Sequence, residues 1–506
     1  MNVSAFDVIV IGAGHNGLTT AAALARAGRS VLVVESGDAV GGLAAAHAFH
    51  NGHALRILQD TRGVRRFVVR DLELQKHGLR MRGTAPDVLA LGAPGDALVL
   101  RGERAAALEA IAARSRPDAD AYAALLDFAT RTRDALATFL DQPPVDVLDV
   151  QSAGSLDLLR RALRVRAAGR RDLLELLRQP PMSVADALDE RFELDVLKAA
   201  LALPAVAFDH TGPRSPGTQA SFLFDAAAAG PGVEGGGPAL VTALESAATA
   251  AGATIRCAAR VERVRVDGRV RGVRLADGEE IDASVVAASC HPAETFLRLM
   301  PRRSMPARLL HRVQRLRTRG TAAVVAFALP QRPRFAARPD EVFEFVRTGA
   351  DLNALERAFD SVKYRRLPEH PALQMHVSEH SSSGVVLSAL VHAVPYALEG
   401  GWSEARRTQL GDRVQEIVAA HCDDFEVVAR AVWVPPDLEQ RFALPQGNLH
   451  HGEHALDQIL VRPIPECSRY ATPVPGLFLC GSGSHPGGGI TCAPGFLAAR
   501  AIRSQT

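Results

Sequence analysis

Apolar β-branched residues run unbroken through Val8-Ile9-Val10-Ile11 after Asp7, the pattern of a strand buried on both faces of a parallel sheet. Leu18–Ala27 follows as an alanine-rich helical segment that stops at Gly28, a residue suited to a left-handed cap. Val31–Val34 returns to a continuous apolar run with Glu35 at its end, so strand, helix and strand succeed one another within one short βαβ unit. From about 105 to 200 the spacing is helical. Within it Leu156–Leu177 alternates spaced leucines with Arg160, Arg161, Arg164, Arg166, Arg170 and Arg171, which predicts a basic amphipathic helix or a helix–turn–helix. A helical run over Pro238–Ala251 precedes short strands at Thr254–Cys257, Val261–Val266, Arg271–Leu275 and Glu280–Val286. Asp267-Gly268 and Asp277-Gly278 mark hairpin turns between them. Strand-like Ala322–Leu329 and Val385–Val394, helical Ala405–His421 and a last strand at Leu477–Cys480 complete the pattern. Pro494-Gly495 leads into a final helix. There is no internal repeat, and a second unit inserted into the first fits the order better than two units in series.

The 506 residues supply ample material for a large core. An apolar fraction of 47% and a charged fraction of 23% are those of a globular protein, and a net charge of +2 gives no reason to expect a nucleic-acid partner. The cysteines at 257, 290, 422, 467, 480 and 492 form no C-x-x-C pair, and no compact Cys/His group has zinc spacing, so packing thiols and no metal are expected. The opening apolar run lacks a basic flank and is far shorter than the ~20 residues of a membrane span. A cytoplasmic protein is expected, with peripheral contact to an anionic membrane through the arginine-rich segment as a lesser alternative.

Directly after the first strand stands Gly12-Ala13-Gly14-His15-Asn16-Gly17. Gly12 allows the tight turn, Gly14 lets a pyrophosphate approach the backbone, and Gly17 permits close helix–strand packing. The free N–H groups of the following helix, with His15 and Asn16 in its first turn, suit a diphosphate. Glu35 is placed to accept a ribose 2′-hydroxyl and to repel a 2′-phosphate. Strand, turn, helix, strand and acid in this order predict dinucleotide binding. Gly41-Gly42 marks another close approach of backbone to ligand or turn. This second glycine pair resembles FAD-binding amine oxidases and carotenoid desaturases rather than nicotinamide dehydrogenases.

Several blocks carry a wider resemblance: VIGAGHNGL with VLVVE and GG, RDLELQKHGL (Arg70–Leu79), MSVADALDERFE (Met182–Glu193), GGGPALVTAL (Gly235–Leu244), LPQGNLHHGE (Leu444–Glu453) and GLFLCGSGSHPGGGITCAPG near the C-terminus. Together they resemble the phytoene desaturase-related FAD-dependent oxidoreductases, a family with carotenoid desaturase, ketolase and pyridine nucleotide-disulfide oxidoreductase-like branches. The resemblance implies an α/β protein with a glutathione reductase-type Rossmann FAD-binding domain and an inserted α+β substrate domain, a mixed sheet backed by helices. The FAD domain is expected from residues 1–75, 226–290 and 455–506, and the substrate domain from 76–225 and 291–454. Non-covalent FAD is implied, held by the N-terminal residues above, by backbone near Val264, and by Gly481, Ser482, Gly489, Ile490 and Thr491. Ser482 stands where many such flavoproteins carry an aspartate on the ribityl hydroxyls.

The implied chemistry is removal of hydride from a C–H bond of a hydrophobic, polyprenoid-like molecule, with oxygen or a quinone as electron acceptor. The alternatives are an amine or natural-product oxidase on the same scaffold and a flavin-bound interaction protein with little catalysis. An extended tunnel belongs to the first reading, a compact pocket with aromatic or carboxylate anchors to the second. His485, in the flavin-facing loop, is the candidate catalytic side chain, or else a ring bonded to its own loop's backbone; His450 and His451 could face the substrate channel, with a solvated loop the preferred reading. No acid–base pair stands out. Paired thiols for disulfide reduction are missing, and Cys480 and Cys492 are expected to pack rather than to bind flavin covalently. An aromatic content of 5% is thin for a tunnel around a long polyene, and the segment around 375–390 is abbreviated.

Overall fold

The structure, a computed structural model, describes residues 6–144, 154–167, 169–380 and 384–505. It has a mixed α/β architecture built on two large sheets. In chain order the strands are β1 (Phe6–Ile11), β2 (Val31–Val34), β3 (Ala46–His50), β4 (His53–Arg56), β5 (Val88–Leu91), β6 (Ala97–Leu100), β7 (Thr254–Arg256) and β8 (Val261–Asp267). There follow β9 (Arg269–Leu275), β10 (Glu280–Ala288), β11 (Ala323–Leu329), β12 (Phe345–Thr348), β13 (Leu373–His380), β14 (Gly384–Val391), β15 (Ala429–Trp433) and β16 (Leu477–Leu479).

The first sheet runs β7-β2-β1-β10, with β16 on the other edge of β10, all parallel. Its central strands are apolar on both faces because helices His15–Ala25, Gly236–Ala250 and Ala493–Gln505 cover one side. On the other side lie the β8–β9 hairpin and helix Ala307–Gln314. β10 changes role along its length: Glu280–Asp282 pairs antiparallel with β9, and Ala283–Ala288 pairs parallel with β1. The hairpin turn between β8 and β9 places Gly268 at φ +66°, as its Asp-Gly signature requires. Although β16 joins the sheet from the far end of the chain, the last helix closes on the first. A Cβ on Gly495 would stand 2.1 Å from the Asn16 carbonyl oxygen, and Thr20 Oγ1 donates to the Gly495 carbonyl at 3.0 Å.

The second sheet has the order β15-β11-β14-β13-β12-β5-β6. It is mixed, since β12 pairs parallel with β5 and all its other pairings are antiparallel. Helices Arg116–Leu140, Asp195–Val206 and Thr218–Ala228 lie at its β5–β6–β12 end, and helix Glu404–Ala419 covers the opposite face.

The arginine-rich segment is two helices, Gly154–Ala167 and Arg170–Arg178, parted at Gly169 with φ +88°. Leu159, Leu163, Leu174 and Leu177 are exposed, and Arg161 is buried, donating to the carbonyls of Thr138 and Pro143. The side chain of Leu156 lies outside the described residues, as do residues 381–383 of the abbreviated stretch and the first five of the chain. Among the described residues no helix is long and apolar enough to cross a membrane.

Candidate functional site

The glycine turn after β1 is held by its neighbours before any ligand is considered. Gly12 adopts φ +94°, and a Cβ on Gly17 would fall 1.9 Å from the Gly12 carbonyl oxygen. Glu35 braces the same turn: Oε2 accepts the Ala13 N–H at 2.7 Å and Oε1 that of Gly37 at 2.8 Å. Gly41 donates its N–H to the Ala13 carbonyl at 2.8 Å, so the second glycine pair lies against the first. From the C-terminal end, Ser482 Oγ accepts Asn16 Nδ2 at 3.1 Å. Gly481 packs so closely that a Cβ would be 2.1 Å from the Ser289 carbonyl oxygen.

These contacts frame a cavity of about 890 Å³ bordered by Gly12, Gly14, His15, Asn16, Gly17, Glu35, Gly42, Val261, His451 and Ser482. That volume lies within the usual range of small-molecule sites, roughly 300–1,000 Å³. His15 Nε2, Asn16 Oδ1 and His451 Nδ1 are buried here without a partner. A Cβ on Gly14 would meet nothing within 4 Å, so bare backbone borders open space at that point. Unpaired polar atoms, a helix N-terminus and free backbone fit a dinucleotide. Burial lowers His15 to about 4 and His451 to about 3, so both rings are neutral at physiological pH.

Val264, on β8, is fully buried in the core, and the cavity is bordered instead by Ala259, Arg260 and Val261. A bulge between Val261 and Arg263 shifts the register of β8 and sets the two valines in different surroundings. Gly489, Ile490 and Thr491 border a second cavity instead, of about 170 Å³. Its walls include Ile57, Leu140, Phe208, Phe224, Phe345, Met375 and Leu390, closed on one side by Pro486–Thr491.

His485 borders neither cavity. Its ring is buried toward the backbone of Phe139 and Gln142 at the end of helix Arg116–Leu140, and burial lowers it to about 4. Its carbonyl accepts from Tyr470 Oη at 3.2 Å. The backbone after it, not its side chain, faces the second cavity.

His450 faces that cavity, whereas His451 faces the first. Neither lies in a solvated loop, because residues 450–453 pack beneath the C-terminal loop. A Cβ on Gly488 would meet His450 Cδ2 at 2.6 Å. His450 Nδ1 is 3.3 Å from Asp209 Oδ2, and its ring stacks on that of His454 at 3.8 Å and 6°. Asp209 also accepts Asn448 Nδ2 at 3.0 Å and the His454 N–H at 3.0 Å. Its carboxyl is held far below the usual range: these partners outweigh the cost of burial. Ligand atoms of Asp209, His450 and His454 lie within 4.8 Å of one another. His454 Nε2 accepts the Gly488 N–H at 3.1 Å, which ties the trio to the C-terminal loop.

Arg462 ties the two loops together. Only 2% exposed, its guanidinium donates to the carbonyls of Ser482, Glu453, Gly452 and His450. Sequence reasoning missed Arg462, Asp209 and His454 because each acquires its role through partners in other elements. His454 lies just beyond the LHHGE block and was the one within reach. Cys480 and Cys492 are buried, border neither cavity, and are pushed up to about 12 by burial.

Comparison with known proteins agrees with this arrangement. A family model described as FAD dependent oxidoreductase matches residues 7–351. The chain is 33% identical to pyridine nucleotide-disulfide oxidoreductase domain-containing protein 2 of Mus musculus, over 98% of this chain and 93% of that protein. It is 28% identical to a subunit of the limonene dehydrogenase of Castellaniella defragrans, over 98% and 94%. Among solved structures it resembles putrescine oxidase bound to putrescine, with TM-score 0.61, 16% identity and 99% of each chain covered.

Proposed function

The chain belongs to the FAD dependent oxidoreductase family, and from that premise we propose that it oxidises a compact, partly apolar molecule by removing hydride from a C–H bond next to an N–H or O–H group. The observation that carries this reading is the second cavity. It is compact, has apolar walls with acidic and basic groups set among them, and ends at Pro486–Thr491 and His450. Such a pocket supports a dehydrogenase or oxidase of an amine, alcohol or natural-product intermediate over one that clasps an extended polyprenoid.

The first cavity offers FAD its glycine turn, the N-terminus of helix His15–Ala25, Glu35 and Ser482. Bound FAD supplies the two-electron acceptor for hydride. The chain's own contribution is proton handling and exclusion of water. His450 Nε2 takes no hydrogen bond from a described residue and is free to accept the substrate proton as hydride departs. Asp209 at Nδ1 fixes the ring and stabilises the charge it gains. Phe208, Phe224 and Phe345 keep the reacting carbon dry. Loss of one hydride and one proton converts H–C–X–H to C=X, and oxygen or a quinone reoxidises the cofactor.

The test is anaerobic reduction of the purified flavoprotein by panels of amines, alcohols and polyprenoids, followed by the bleaching of the flavin spectrum. A compact amine or alcohol is expected to reduce it, and His450→Gln to slow the reductive step by about 10²- to 10⁴-fold with flavin content unchanged. Reduction by a polyprenoid alone, or a wild-type rate in the variant, overturns the reading.

Exposed Leu174 and Leu177, beside exposed Arg170 and Arg171, favour peripheral contact of the helical pair with an anionic bilayer.

A further inference from the structure

Three of the arginines along the second cavity are each held by a carboxylate in a direct ion pair. Asp60 holds Arg62 through both carboxylate oxygens, with Nη2 at 2.6 Å and Nε at 3.0 and 3.1 Å. Arg82 is held bidentately by Glu344 at 2.6 and 2.8 Å. Arg65 Nε lies 2.8 Å from Asp141. Arg347 differs: its Nη1 donates to the Ala200 carbonyl at 2.9 Å, and no described carboxylate lies within ion-pair distance. Burial and the neighbouring Arg62 lower its pKa only to about 10, so it remains a cation at neutral pH. Asp60 and Asp225 act on it only through their field, so its guanidinium fork has no directly bonded carboxylate.

Beside it stands a second unmet donor. Arg347 on β12 and Gln374 on β13 are direct cross-strand partners, so their side chains project from the same face of the sheet into the cavity. Gln374 Nε2 is buried and has no acceptor. A guanidinium fork without a carboxylate and an amide N–H without an acceptor, side by side, match the oxygens of a carboxylate or phosphate. The wall between them and the C-terminal loop is apolar, formed by Ile57, Phe345, Met375 and Leu390.

We propose that Arg347 and Gln374 form a head-group site, so that the molecule oxidised in this cavity carries an anionic group on an apolar body. This names the substrate class within the function proposed above and rests on that reading for the word substrate, but the anion site itself does not depend on any turnover.

The experiment is calorimetric titration of the FAD-loaded protein with octanoate, octyl phosphate, octanol and octylamine, four probes that share an apolar tail. Octanoate or octyl phosphate is expected to bind tighter than octanol and octylamine, and the better of the two identifies the anion. Arg347→Met is expected to weaken that probe by about ten- to hundredfold and Gln374→Leu by a few-fold, with octanol unaffected. Arg347→Lys, which keeps the charge but not the fork, is expected to fall between wild type and Arg347→Met and covers the case in which Arg347→Met fails to fold. Octanoate and octyl phosphate binding no tighter than octanol, or equal affinity in wild type and Arg347→Lys together with Gln374→Leu, overturns the proposal. Anion binding with no reduction by any substrate panel would defeat the proposed reaction and leave the head-group site standing.

Discussion

Two glycines of the nucleotide turn serve different ends, and substitution separates them. A Cβ on Gly17 collides with the Gly12 carbonyl at 1.9 Å, so Gly17→Ala must displace backbone. Reduced thermal stability, by about 1–3 kcal/mol, and loss of flavin are expected together. Gly14 has φ −67° and open space around its would-be Cβ. Gly14→Ala is therefore expected to fold with an unchanged melting temperature when flavin-free, yet to retain less FAD, read as visible flavin absorbance per polypeptide. Equal loss of stability in both variants would show that Gly14 serves packing and not ligand approach. Asp225 supplies a pH test. Burial raises its carboxyl to about 6, against its neighbours His450, Arg62 and Arg65, which lower it, and with Asp60, which raises it. A carboxyl whose folded pKa exceeds its unfolded value binds more protons in the native state, so its contribution to stability is lost as pH rises through about 6. Asp225→Asn is accordingly expected to raise the melting temperature most at pH ~8, less at pH ~5, and to change it little only below pH ~4. In the same window an ionised probe such as octanesulfonate should bind wild type more tightly at the lower pH, and Asp225→Asn should lessen that dependence.

Short elements here take their roles from what they meet. β16 has three residues, yet it delivers Gly481 and Ser482 to the start of helix His15–Ala25 because β10 gives it a parallel edge. The loop of residues 450–453 has no regular structure and owes its place to Arg462, whose guanidinium satisfies four carbonyls across it and the C-terminal loop. Arg462→Met would leave those buried oxygens unpaired, at about 1–3 kcal/mol for each group that finds no water. Lower thermal stability and a slower reductive step are expected, since His450 is carried on that loop. A variant with wild-type kinetics would separate the loop from the chemistry. The paired helices Gly154–Ala167 and Arg170–Arg178 make the reverse case, with leucines turned outward among arginines. Leu174→Glu with Leu177→Glu is expected to abolish co-sedimentation with phosphatidylserine vesicles while leaving the melting temperature within about 1 °C, as exposed positions contribute little. No sedimentation of the wild type, or undiminished sedimentation of the variant, would overturn contact through this helical pair.

At the scale of the whole molecule the nucleotide cavity is enclosed by residues from both ends of the chain, so FAD joins parts that meet nowhere in sequence. A ligand that binds only the native state stabilises it by about 2.7 kcal/mol at a hundredfold excess over its Kd. Stripping FAD is expected to lower the melting temperature and readdition to restore it, and an unchanged melting curve would mean that the cavity forms without contribution from the cofactor. Consecutive histidines border different cavities, His450 the second and His451 the first.

The sequence by itself determined the βαβ unit, the glycine turn, Glu35 and the β8–β10 hairpins, while the return of the C-terminal segment to the nucleotide site was implied by the family resemblance. Each of the former is written in contiguous residues whose period, turn chemistry or bare backbone is a local property. Only the tertiary structure decided what lines the second cavity. Asp209 and His450 stand 241 residues apart, Asp60 and Arg347 come from different elements, and Arg347 meets Gln374 across a strand pair. No local period records such meetings. The same cause turned His485 from the cavity: its loop residues present backbone to the site, and which way the ring points is settled by a helix from elsewhere in the chain.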